Sequence, residues 1–212
     1  MPGSRAPRPS DAAHPAPLVV KLGGSLLGAP LLPALLHALA HAGAPLVLVA
    51  GGGPLADGVR DLQPRLGLSD AACHRMAILA MEQTALALAD ISGIPTAADP
   101  ASIARHHGAG RAALWLPAAM TLEAPDLPES WDLTSDSLAA WLSAQLSTRL
   151  GAGRLVLVKS APAAPGSRPQ DWADAGLVDP LFPRYAAAFG GAVEIVTLDA
   201  ARATFTDGSM AA

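Results

Sequence analysis

The stretch LVVKLGGSLLG, Leu18 to Gly28, carries an apolar run into a lysine, then two glycines and a serine, and then a helix-like pattern. A short apolar run bounded by glycine reads as a buried strand that turns directly into a helix. The same order recurs at PLVLVAGGGP, residues 45–54, where an apolar run meets Gly51, Gly52 and Gly53 and Pro54 falls in the first turn of the next helix. Two such units in succession set the expectation for the whole chain: parallel strands, with helices as the returns.

Working outward, Leu31 to Ala42 reads as a helix that starts on Pro30 or Pro33. Ser69 is an N-cap for a long helix from Asp70 to Ile91, and a further helix follows Ser135. Strands are expected near Ile94 to Ala97, Ala112 to Leu116, Leu155 to Lys159 and Val193 to Leu198. The fold class is α/β, with a mainly parallel sheet covered by helices on both faces. The segment SAPAAPGSRPQDWADAG, residues 160–176, is expected to loop over the sheet edge. Neither an internal repeat nor a convincing linker divides the chain. It reads as one domain, residues 18–212, behind a mobile tail over 1–17 that lacks the apolar segment of a signal peptide.

The 212 residues carry a net charge of −4, with arginines scattered rather than clustered, which argues against a nucleic-acid face. The most hydrophobic region, Ala29 to Ala50, is broken by Pro30, Pro33, His37, His41 and Pro45, so no membrane span is expected. A single cysteine, Cys73, fits a reducing cytoplasm and reads as a packing residue. His37 and His41 stand four apart on one helix without a third ligand. His106 and His107 read as surface. The helix from Asp70 is apolar on much of its circumference, which points to burial and to a subunit interface in a homo-oligomer.

Lysine is scarce: two against twelve arginines. Both, Lys21 and Lys159, end predicted strands, where ligands of open parallel sheets bind. The clusters Gly23, Gly24, Ser25 and Gly51, Gly52, Gly53 lie at the same edge, where backbone N–H groups and helix starts favour anions. Neither cluster has dinucleotide-fingerprint or Walker spacing. A phosphate site is the reading, with tight turns as the structural alternative. In WDLTSDSLAAWL, Thr134, Ser135 and Asp136 stand at a loop-to-helix junction. Ser135 or Asp136 either caps that helix, or Asp136 pairs with Lys21 or reaches a bound Mg²⁺. No side-chain metal set stands out.

The order strand-KLGGS, strand-VAGGG, long helix, then LTSDSLAA resembles the amino acid kinase superfamily over Leu18 to Leu198. That resemblance implies a three-layer αβα sandwich and ATP-dependent phosphoryl transfer. The acceptor-binding part would span about 18–150 and the nucleotide-binding part about 151–212. Lys21 would stabilise the transferring group, the glycines would cradle it and Asp136 would organise the lysine. HRMAILAMEQTALALAD is similar to the uridylate kinase helix; Met76, Leu79 and Ala80 match its pattern, while His74 stands where those enzymes place a ribose-binding aspartate.

MAILAM, WDLTSDSLAAWL and GLVDPLFP together are similar to the aminomethylfuran phosphate kinases of methanofuran biosynthesis and their methylotroph relatives. The implied reaction converts [5-(aminomethyl)furan-3-yl]methyl phosphate and ATP to the diphosphate and ADP, with Mg²⁺. For such an acceptor, Asp132 or Glu82 would meet the ammonium, and Trp131 or Met76 the ring, beside His74, Thr134 and Ser135. The later Gly-Gly-Met segment with a second lysine is absent. Lys159, with Ser160, either takes over part of that role or contacts the nucleotide, and Asp179 either closes over the nucleotide region or turns the chain. The alternatives are a non-catalytic nucleotide- or oxyanion-binding protein and a nucleoside monophosphate kinase.

Overall fold

The computed structural model describes residues 17–150 and 153–206. All of the expected tail except Pro17 lies outside them. The chain runs β1 (Leu18–Leu22), a 3-10 turn (Gly24–Leu26), α1 (Leu32–Ala40), β2 (Leu46–Ala50), α2 (Gly53–Leu66) and α3 (Asp70–Ser92). It continues through β3 (Thr96–Ala97), α4 (Pro100–Gly108), β4 (Ala113–Trp115), α5 (Ala118–Thr121), α6 (Ser135–Leu150) and β5 (Arg154–Lys159). Finally come α7 (Pro169–Asp174), α8 (Phe182–Phe189), β6 (Ala192–Thr197) and α9 (Leu198–Thr206). The sheet order is β3-β4-β2-β1-β5-β6, and every pairing is parallel. The expected α/β architecture, a parallel sheet between two helical layers, is what forms.

Local chemistry sets the boundaries. Ser69 Oγ accepts from the Ala72 N–H at 3.2 Å to open α3, and Gly93 closes it with φ +70°. Pro100 opens α4 behind an Asp99–Ser102 capping box. The sequence reading places no helix here. In the last turn of α4, His106 Nε2 lies 3.2 Å from the Thr96 carbonyl oxygen and His107 Nε2 lies 3.1 Å from that of Leu46, so both rings anchor the helix rather than float on the surface. The segment 160–176 likewise holds α7, whose Trp172 is buried in the core.

Strand periodicity divides the core. Val19, Val47, Val49, Leu155 and Leu157 face one way and pack with buried residues of α6, α7 and α8. Val20, Leu22, Leu46, Leu48, Val156 and Val158 face the other way and pack with α1 and α9. Helix α3 serves both, through Ile78 and Met81 on one side and Ala85 and Leu88 on the other. Side chains on a strand alternate faces. Lys21 therefore shares the α6 face with Val19, and Lys159 shares it with Leu157. Since Lys21 pairs with Leu157 in register, the two lysines stand on adjacent strands at the same sheet edge.

Candidate active site

Lys21 is buried, and its Nζ lies 2.8 Å from Asp136 Oδ1. The contact is a buried ion pair. Lys159 Nζ donates to Asp136 Oδ2 at 2.6 Å. Two ammonium groups thus share one carboxylate. Burial alone would push the Asp136 carboxyl up, but the Lys21 and Lys159 charges outweigh it and hold the group below its ordinary range. Lys159 is pulled below the ordinary lysine range, first by burial and second by the Lys21 charge, against the opposing pull of Asp136. With all three ionised, the cluster carries an excess positive charge in a buried setting, a good partner for phosphate.

Asp136 is placed by the start of α6, and Asp179 holds that start from a distant loop. Asp179 Oδ2 accepts from the Thr134 N–H at 3.1 Å, the Thr134 hydroxyl at 2.8 Å and the Ser137 N–H at 3.0 Å, while Oδ1 accepts from the Ser137 hydroxyl. The cap of α6 is therefore neither Ser135 nor Asp136. Both Asp179 oxygens are thus engaged in holding the start of α6.

The two glycine loops touch backbone to backbone. A Cβ on Gly24 would lie 2.5 Å from the Gly53 nitrogen, and one on Gly51 would lie 2.7 Å from the Gly24 nitrogen. Only glycine permits this approach, and Gly53 has φ +53° as well. The amides do not all serve alike. Gly23 N–H donates to the Val158 carbonyl at 3.1 Å and Gly51 N–H to that of Leu22 at 2.9 Å, extending the sheet ladder. Gly24, Ser25, Gly52 and Gly53 instead open the 3-10 turn and α2, where N–H groups have no acceptor in their own turn.

A cavity of about 250 Å³ opens on these loops. Gly24, Ser25, Gly51, Gly52 and Gly53 line it, together with His74, Trp131, Thr134 and Ser135. Lys21, Gly23, Asp136, Lys159, Ser160 and Asp179 are outside the lining. Sequence neighbours of the ion cluster do line the cavity: Ser135 precedes Asp136, and Gly24 follows Lys21 by three residues. Exposed Ser160 follows Lys159.

Three sequence candidates lie off this cavity. Met76 is off the lining, and Ile78 and Met81 take its place, because His74, Ala77, Ile78 and Met81 share one helical face. Asp132 is exposed between two lining residues, and its carbonyl accepts from the Leu181 N–H at 3.1 Å. Glu82 accepts from the Ala118 N–H at 2.9 Å, at the start of α5. Neither acid lines the cavity.

Besides His74, the lining has two charged side chains, Asp57 and Arg60 on α2, which were missed. Their signal was helical spacing from the glycine loop, since Gly53, Ala56, Asp57 and Arg60 fall on one face. The Arg60 guanidinium stacks 4.5 Å above the Trp131 ring, whose Nε1–H donates to Gln63 Oε1 at 2.6 Å. Burial lowers the His74 pKa from its ordinary value, so the ring is mainly uncharged at neutral pH.

Among the described residues no cluster of three or more His, Cys, Asp or Glu could hold a metal ion, and no helix is long and apolar enough to cross a membrane. Asp136, already bound to two ammonium groups, does not fit the role of magnesium ligand.

The chain resembles known proteins in sequence and in fold. The sequence profile of the amino acid kinase family matches residues 16–163. A [5-(aminomethyl)furan-3-yl]methyl phosphate kinase from Methanocaldococcus jannaschii is 31% identical over 133 residues, a match that spans 62% of this chain and 62% of that relative. The uridylate kinase of Archaeoglobus fulgidus superposes with a TM-score of 0.65 at 16% identity, covering 89% of this chain and 95% of its own. The UMP kinase of Ureaplasma parvum gives a TM-score of 0.65 at 13% identity, covering 91% and 95%. At those identities the likeness is one of fold.

Proposed function

The chain belongs to the amino acid kinase family, and on that premise we propose that it is an ATP-dependent phosphotransferase acting on a small phosphate monoester. The acceptor we favour is [5-(aminomethyl)furan-3-yl]methyl phosphate, the substrate named for the relative from Methanocaldococcus jannaschii. The observation that carries the reading is the buried Lys21–Asp136–Lys159 cluster, set beside glycine loops that cannot accept a side chain. The cavity volume is below the roughly 300–1,000 Å³ typical of drug-sized ligands, which suits a small acceptor better than a nucleotide.

An acceptor phosphate is already anionic, so the reaction needs alignment and charge neutralisation more than a strong base. The bond between the β- and γ-phosphates of ATP breaks, and a bond forms from the γ-phosphorus to an acceptor phosphate oxygen, giving ADP and a diphosphate. Gly24, Ser25, Gly52 and Gly53 present N–H groups to anionic oxygens. Lys21 offers a compact charge for the transferring group, and Lys159 supplies the second ammonium that the missing Gly-Gly-Met segment would have carried. Asp136 holds both in place. A divalent ion would arrive on the nucleotide's phosphates, since the described residues present no side-chain cage for it.

The test is incubation of the protein with ATP, Mg²⁺ and a panel of phosphate monoesters that includes the aminomethylfuran compound and UMP. The expected result is ADP release with a diphosphate product from the furan compound. Nucleotide binding without ADP release from any acceptor would favour a binding or storage role.

A further inference from the structure

Apart from the glycine loops, the cavity wall has a simple division of chemistry. Ala77, Ile78 and Met81 present an apolar face, Trp131 a flat ring, and α2 one acid and one base. The acid is Asp57, the carboxylate of the described lining. It lies four residues beyond Gly53, about 6 Å along the helix axis at 1.5 Å per residue. A five-membered ring with a one-carbon arm on either side separates its phosphate from its ammonium by a comparable distance.

Arg60 Nη1 donates to Asp57 Oδ1 at 2.9 Å, while the guanidinium stacks on Trp131. Both partners are largely solvated, with side-chain exposures of 67% for Asp57 and 47% for Arg60, so their mutual attraction is weak and Oδ2 can take a second cation. His74, the other titratable side chain of the lining, is mainly uncharged and does not repel a cation there.

We propose that Asp57 is the specificity-determining residue of this cavity, selecting acceptors that carry an ammonium across a flat ring from their phosphate. This rests on the phosphate-monoester reading above. Arg60 orients the Asp57 carboxylate and keeps Trp131 in place as one wall of the ring slot. An acceptor without the amine gains the same phosphate and ring contacts but nothing from Asp57.

The test is calorimetric titration, without ATP, of [5-(aminomethyl)furan-3-yl]methyl phosphate and its 5-methyl counterpart into the wild type, Asp57→Asn and Asp61→Asn. Asp61 is an exposed acid on α2 outside the cavity lining and controls for general electrostatics. The expected result is that the wild type binds the amine about two- to fivefold more tightly, the range of a solvated ion pair. Asp57→Asn should bring that ratio close to one, and Asp61→Asn should retain it. Equal affinities in the wild type, failure of the wild type to bind either compound, or a ratio that survives Asp57→Asn overturns the proposal. Because binding is read without turnover, an amine preference with no phosphoryl transfer would count against the kinase reading alone. Equal binding with transfer to both compounds would count against Asp57 alone.

Discussion

The two faces of the sheet are built from alternate residues of the same strands, yet they do different work. On the α1 and α9 side, Leu18, Val20 and Leu22 of β1 pack into an aliphatic layer with Leu35, Leu36 and Leu39. On the α6 and α8 side, the same strand offers Val19 and then Lys21, and the facing helix answers with Asp136, Ser137 and Ser143, all buried. One face holds the sheet together. The other pairs and hydrogen-bonds its polar groups so that charge can be kept out of water, an arrangement that adds little net stability but fixes geometry.

That contrast can be broken most directly at Lys21. Lys21→Ala is expected to lower kcat by about a hundredfold to a thousandfold, the range seen when one electrostatic contact to a transition state is removed. Single-turnover ADP release checks this, and near-normal turnover would remove the α6 face from the chemistry. Asp136→Ala leaves two buried ammonium groups without a counter-charge and is expected to lose about 3–5 kcal/mol of stability as well as activity. Urea unfolding measures the loss.

On the other face, Leu35→Ala should cost about 2–5 kcal/mol through its cavity while turnover per folded molecule stays unchanged. A fall in turnover as large as that of Lys21→Ala would mean that the two faces are not separate. The smallest effects are those of pH. The depressed Asp136 carboxyl contributes stability that is present above about pH 4, the ordinary carboxylate value, and lost as the pH falls through its folded value. On the alkaline side the lowered Lys159 loses its charge earlier than an ordinary lysine. Turnover should therefore decline there, while the contribution of Lys159 to stability rises up to the unfolded value. Lys159→Arg, which stays charged, should shift the alkaline limb upward.

Much of this was legible from local pattern. The apolar runs ending at Lys21, Ala50 and Lys159 locate three central strands, and the two-residue period of a strand already puts both lysines on one face. Ser69 and Gly93 mark α3 within one residue of the expected end. What local pattern does not carry is pairing at long range. Asp179 meets Thr134 and Ser137 across more than forty residues, and its Asp-Pro sequence reads as a turn until the fold brings it to α6. Asp132 stood out in sequence beside Trp131, whereas Asp57 did not stand out at all. Only the direction in which each chain segment faces the cavity separates them. The short helices α7 and α8 are framed by proline and glycine, which in sequence resemble loop punctuation.

Strand order has a further consequence for biosynthesis. Leu18 pairs with Leu46 on one side and with Arg154 on the other, so β1 gains its second neighbour only after most of the chain has left the ribosome. Until β5 docks, Lys159 cannot reach Asp136, and one flank of β1 lacks its hydrogen-bonding partner, the kind of open edge that invites aggregation during synthesis. Nascent chains stalled before Arg154 should therefore depend on chaperone cover and remain inert.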